Sequence, residues 1–184
     1  FMGVLFIKGF KRKNQLLSLC GLNCGLCTMF IGKNCGGCGN GNQSCSIAKC
    51  SLEKKVEYCI ECSDYPCERY YHIDEFDSFI THQHQKRDME KFREMGTEVY
   101  SAEQQRKKVL LNHLLNTYND GRKKTLFCVA VNLLELEDLE NIISELDENT
   151  LDFAVKEKAA YAAGLLEEVA RRGNILLKLR KKKG

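Results

Sequence analysis

The sequence predicts a mainly α-helical protein with a loop-rich, cysteine-dense module near its start, and three observations predict it. Ten of the eleven cysteines fall between Cys20 and Cys67. Beyond Cys67 the apolar residues recur mostly at three- and four-residue steps, the period of one helical face. No run of about eighteen apolar residues occurs, so no segment reads as a membrane span. The 184 residues, 43% hydrophobic and 29% charged, suit a globular chain of one ordinary domain or two small ones. A net charge of +3 is too small to identify a polyanionic partner by itself. The expected organisation is an N-terminal extension at 1–17, a cysteine-rich metal-binding module at 18–67 and a helical domain at 68–184.

In the extension, FMGVLFIKGFKRK places apolar residues before basic ones and lacks a small-residue cleavage site. That is the wrong order for a secretory signal. The module then reads CGLNCGLCTMFIGKNCGGCGNGNQSCSIAKCSLEKKVEYCIECSDYPC, with C-x-x-C pairs at Cys24–Cys27, Cys35–Cys38 and Cys59–Cys62. A two-residue gap lets two thiolates turn onto one metal while the intervening N–H groups point at the sulfurs. The rival use of such cysteines, a disulfide framework, belongs to secreted chains too small to build a core. An odd cysteine count and more than a hundred cysteine-poor residues downstream argue for metal, and hence for a reducing, cytoplasmic setting. Gly32, Gly36, Gly37, Gly39 and Gly41 make the middle a turn region, and little besides the cysteines is available to bury. Such a segment cannot offset its chain entropy by hydrophobic burial. Bound zinc, worth roughly 10–16 kcal/mol in small metal modules, can, so the module is expected to unfold without it.

The expected ligands are Cys20, Cys24, Cys27, Cys35, Cys38, Cys45, Cys50, Cys59, Cys62 and Cys67. Two zinc ions held by four thiolates each would use eight of these ten. A sequential division puts Cys20, Cys24 or Cys27, Cys35 and Cys38 in one set, and Cys45 or Cys50, Cys59, Cys62 and Cys67 in the other. The spacing allows an interleaved cross-brace equally. Each four-thiolate centre carries a net charge of about −2 and attracts cations, for which Lys33, Lys49, Lys54 and Lys55 are well placed. Closed sites of this kind serve structure, because catalytic zinc keeps a position open for water. Iron–sulfur ligation is the rival reading, since four thiolates serve both. Cys20-x3-Cys24-x2-Cys27 also has the spacing found in radical S-adenosylmethionine enzymes, but the alternating strands and helices of their barrel are absent from the pattern.

Pro66 marks a turn that presents Cys67. Tyr70, Tyr71, Ile73, Phe76, Phe79 and Ile80 then predict an amphipathic helix over 68–80. Residues 81–96 are highly charged and stop at Gly96. Ser101 with Gln104 fits a capping box for a helix whose stripe is Val109, Leu110, Leu114, Leu115 and Tyr118, closed by Asn119-Asp120-Gly121. Thr125–Leu134 is a short, almost wholly apolar run in which period alone does not separate buried helix from buried strand; helix is the favoured reading. Leu136, Leu139, Ile142, Ile143 and Leu146 predict the next helix. Asp152–Arg172 is the last, with Phe153, Ala159, Ala160, Ala163, Leu166, Val169 and Ala170 toward the core and Gly173 as its cap. Residues 175–180 suit a short strand, and Lys181–Lys183 a loose end.

Four segments together resemble one family: Cys-Gly-Leu-Asn-Cys-Gly-Leu-Cys at 20–27, Cys-Gly-Gly-Cys at 35–38, Cys-Ser-Ile-Ala-Lys-Cys at 45–50 and Glu-Tyr-Cys-Ile-Glu-Cys-Ser-Asp-Tyr-Pro-Cys-Glu at 57–68. They look like the prokaryotic cysteine-rich family termed domain of unknown function 3795. The stretch from Tyr118 through Leu134 is similar to the helical extension of its longer members. The resemblance covers about fifty residues at its most specific, ending in Tyr-Cys-x-x-Cys-x-x-Tyr-Pro-Cys. It implies a prokaryotic zinc-binding protein and no particular activity.

Outside the module the chemistry thins out. Cys128, among Phe127, Val129 and Val131, reads as a small buried hydrophobe. His72, His82, His84 and His113 lack metal spacing among themselves; His72, nearest the cysteines, is the one that could complete a site. Arg106-Lys107-Lys108, Arg122-Lys123-Lys124 and the basic residues of 171–183 read as solvated helix faces that could also contact nucleic-acid phosphates. No Ser/His/Asp set or carboxylate pair stands out, so an enzyme is not the favoured reading. The expectation is a binding or adaptor protein with zinc holding the fold and a protein partner at its surface; an iron–sulfur or redox-sensing protein is the alternative.

Overall fold

The computed structural model describes residues 12–41 and 44–182. Residues 1–11 of the expected extension, and Lys183 at the other end, lie outside the described residues. Among the described residues there are seven helices and no strand: α1 (Thr28–Ile31), α2 (Ser46–Lys54), α3 (Gln85–Met95), α4 (Thr97–Thr117), α5 (Lys124–Leu133), α6 (Leu136–Asn149) and α7 (Val155–Arg172). Single 3-10 turns occupy Cys24–Leu26, Cys59–Glu61 and Glu68–Tyr70. The mainly helical class is therefore as expected.

The main core lies among α4, α5, α6 and α7. Leu111, Leu114, Phe127, Ala130, Val131, Leu146, Ala162 and Leu166 are fully buried in it. Leu26, from the turn after Cys24, enters the same core. A second cluster joins Leu17 and Tyr58 to Met89 and Phe92 of α3 and Tyr100 of α4. The rings of Tyr58 and Phe92 lie 4.5 Å apart, and Phe92 meets Tyr100 edge-on at 5.8 Å. The cysteine-rich stretch thus rests on α3 and α4 by ordinary hydrophobic burial, worth roughly 1.5–3 kcal/mol for each large side chain.

Several expectations need correction. Residues 68–80 do not form an amphipathic helix; the chain turns once at Glu68–Tyr70 and continues as bends. His72 adopts φ +61°, which breaks helical continuation. Tyr70 and Ile80 are buried, while Tyr71 and Phe79 face solvent at 74% and 66% exposure. The Ser101 capping box does not form, because α4 already begins at Thr97, after Gly96 at φ +79°. Ser101 instead accepts a hydrogen bond from Asn14 (2.8 Å), and Gln104 is buried mid-helix. Val109, Phe153 and Ala160 are exposed rather than core-facing.

The expected strand at 175–180 is replaced by a side-chain clasp. Arg180 donates to Asp77 Oδ1 (2.9 Å) and to the Asp74 carbonyl (2.6 Å), while Asp77 N donates to the Arg180 carbonyl (2.8 Å). Gln83 Nε2 donates to the Leu176 carbonyl (3.0 Å). A guanidinium facing a fully buried carboxylate satisfies the 74–83 loop, so no ladder partner is required.

Candidate metal centre

The cysteine stretch is pinned at three points. Cys59 N donates to the Leu19 carbonyl (2.9 Å), and Gln85 Nε2 donates to the Cys20 carbonyl (3.0 Å). Gly21, between them in this corner, has φ +96°, and a Cβ there would lie 2.5 Å from the Gln85 carbonyl oxygen. Only glycine suits that corner. Asn23 provides the third point: its Nδ2 donates to Asp88 (2.8 Å), and its Oδ1 accepts from Tyr100 OH (2.9 Å).

These anchors bring cysteines together from distant parts of the stretch. One group forms where Leu19 and Ala48 pack, with Cys20, Cys38, Cys45 and Cys59 against them. Cys20 Sγ lies 3.2 Å from Ser18 Oγ, and Cys45 Sγ accepts from Ala48 N (3.4 Å) at the start of α2. Leu19 N–H and the Arg12 side chain both donate toward Cys38. Cys24 lies within electrostatic reach of Cys20, Cys27, Cys35 and Cys38.

Cys50 of α2, Cys59 of the following 3-10 turn, Cys62 just after that turn, and Cys67 beyond Pro66 line one pocket of about 190 Å³. Lys54, Tyr65 and Tyr70 also line it. Lys54 is ion-paired to Asp64 and lies within electrostatic reach of Cys62 and Cys50. Cys59 is close to Cys67, Cys50 and also Cys20, so it stands between the two groups.

Burial, the dominant influence, pushes the Cys20 thiol up to about 11 and that of Cys59 up to about 12. Cys24 and Cys38 are raised by the same cause, and neighbouring sulfurs add to it. Without a cation these thiols hold their protons at neutral pH; a soft divalent metal would displace them. The Tyr70 hydroxyl is buried beside the Cys59 thiol without a partner at full hydrogen-bond geometry, and desolvation, first, then the thiol holds it protonated. Such a group is a donor available to a thiolate.

The sulfurs line these spaces without converging. Among the described residues, no group of three or more His, Cys, Asp or Glu side chains is gathered at metal-holding distances. His72 pairs with Glu75 and His113 with Asp147 (2.8 Å). His82 lies between Ser78 Oγ and the Ile73 carbonyl. None of the four joins the cysteines. Cys128 is buried in the helical core as expected. No helix among the described residues is long and apolar enough to cross a membrane.

Sequence reasoning missed Arg12 and Tyr70 beside the sulfurs, and it missed a buried polar network next door. Lys107, 5% exposed, donates to the Leu134 carbonyl (2.7 Å), near Glu103, Lys91 and Asp88. Its signal was present: Lys107 sits three and four residues before Leu110 and Leu111, on the helix's apolar stripe.

No family model matches the chain, and neither the curated proteins nor the solved structures contain a match to it.

Proposed function

We propose that this chain is a zinc-binding protein in which metal held by cysteine sets the local fold, and whose surface serves binding rather than catalysis. The observation that carries the reading is the pocket lined by Cys50, Cys59, Cys62 and Cys67. Four thiols from three short segments share one small space, with a lysine at its edge and a buried hydroxyl beside one sulfur. That donor set suits zinc, which four thiolates hold at ~2.3 Å once they converge on it. The second set would come from Cys20, Cys24, Cys38 and Cys45, with Cys27 or Cys35 in reserve. Likeness of the cysteine pattern to the family termed domain of unknown function 3795 points the same way. Both sets, filled by four thiolates, leave no position for water, so their role would be structural.

The test is elemental analysis with an ultraviolet–visible spectrum on protein purified without oxygen. About two zinc ions per chain and no absorption near ~400 nm are expected. Iron with matching sulfide and a broad visible band would replace this reading with the iron–sulfur one.

A further inference from the structure

A second concave site lies on the other side of the α1 turn. Phe30, Ile31, Lys33 and Asn34 form one wall, and Lys108 and Asn112 of α4 form the other, around a cleft of about 580 Å³. A third lysine flanks it: Lys124 Nζ lies 3.6 Å from where a side chain on Gly32 would begin. In the run Arg106-Lys107-Lys108, the first two cations are used inside the fold. Arg106 pairs with Glu140 (2.6 Å), and Lys107 caps the Leu134 carbonyl. Lys108 is not so used. Among the described residues, Lys33, Lys108 and Lys124 take part in no ion pair.

Two ammonium groups without an ion pair on the lining of one cleft, with Lys124 near the adjoining Gly32, create a positive field that attracts anions. The cleft is far larger than a lone phosphate needs and falls within the usual range of small-ligand sites, about 300–1,000 Å³. Its lining is mixed in a specific way. Two lysines can meet phosphate oxygens, two asparagine amides can donate to and accept from a heterocycle edge, and the half-buried Phe30 ring can pack against a planar ring. We propose that this cleft binds a nucleotide unit, phosphate toward Lys33 and Lys108 and base toward Phe30. The unit is either a free mononucleotide or one residue of a single strand; the chemistry is common to both. The inference goes beyond the zinc reading; Cys35, a reserve ligand in that reading, also lines the cleft beside Gly36, so metal content is followed alongside binding.

The test uses the full chain with two probes: a fluorescein-labelled oligouridylate of about twelve nucleotides, followed by polarisation at about 50 mM salt, and unlabelled AMP as competitor. Lys33→Asn with Lys108→Gln removes both charges; asparagine tolerates the left-handed backbone of Lys33 (φ +58°). This double variant should weaken the strand at least about tenfold and flatten its salt dependence. Phe30→Leu keeps apolar bulk, loses the aromatic face, and should weaken it about fivefold. Lys178→Gln with Lys181→Gln, in the basic tail, should leave it unchanged. Competition by AMP identifies a free nucleotide as the ligand, and strand binding without competition identifies a single strand. Failure of both probes to bind overturns the proposal, as does equal weakening by the tail variant. Unchanged binding by Phe30→Leu overturns the assignment of a base. Metal content measured on each variant keeps loss of the ligand separate from loss of the zinc.

Discussion

Replacing Asp88 by asparagine should change how the stability of this protein varies with pH. Asp88 lies on α3 and accepts a hydrogen bond from Asn23 Nδ2 at 2.8 Å. Burial raises its carboxyl from the ordinary 3.8 to about 7, against the opposing pull of Lys107, Lys91 and Arg87. An unfolded chain releases this proton near pH 4, whereas the folded chain keeps it until about pH 7. Stability associated with Asp88 is therefore complete below the unfolded value and is lost as pH rises toward the folded one. A difference of about 3 in pKa is worth about 4 kcal/mol at most. In Asp88→Asn the amide oxygen would still accept from Asn23, and the side chain would carry no charge at any of these pH values. Urea denaturation between about pH 4.5 and 7.5 should show the parent losing about 2–4 kcal/mol relative to Asp88→Asn across that window. The variant should be the more stable of the two at pH 7.5. Acid release of the proposed zinc would be common to both proteins and would cancel in the comparison. Parallel profiles would refute the argument, since they would mean that Asp88 titrates as it does in water.

Other substitutions probe the remaining links. Cys50→Ser, Cys59→Ser, Cys62→Ser and Cys67→Ser should each lower zinc content by about one ion per chain, while Cys128→Ala should leave it intact; equal loss in all five would discard the ligand assignment. Tyr100→Phe removes the donor to Asn23 Oδ1, on a residue only 3% exposed, and should cost about 1–3 kcal/mol in denaturant melts. A cost near zero would show that another donor replaces it. Gly21→Ala places a methyl 2.5 Å from the Gln85 carbonyl at φ +96°, and should lower stability by roughly 2 kcal/mol or more. An unchanged melting temperature would show that the corner between the cysteine stretch and α3 can relax.

Most of the helical part was legible from residue order. The stripes ending α4, and those of α6 and α7, meet the core at Leu110, Leu114, Leu139, Ile142, Leu146 and Leu166, because a 3.6-residue period can bury one face in only one way. The run Thr125–Leu134 is ambiguous by period; its backbone is helical over Lys124–Leu133, packed against α4 and α7. Residues 68–80 misled for the opposite reason. Their apolar spacing is helical, yet Asp74 and Asp77 find partners in Arg180, about a hundred positions away, and a left-handed His72 interrupts the path. A window of ten or twenty residues contains neither fact.

The candidate site divides along the same line. Local sequence determined which residue types are available: ten thiols, six of them in C-x-x-C pairs, in a glycine-rich stretch. Local sequence also determined the helical class, through periodicity that needs no partner to be read. Only the tertiary structure decided which thiols share a space, Cys50 with Cys59, Cys62 and Cys67, because that depends on where α2 and the turns beyond it come to rest. It also decided that Arg106 and Lys107 are consumed within the fold while Lys33 and Lys108 face one cleft. Periodicity is a property of neighbours along the chain. Proximity between Cys50 and Cys67, or between Lys33 and Lys108, is set by packing energies summed over the whole molecule.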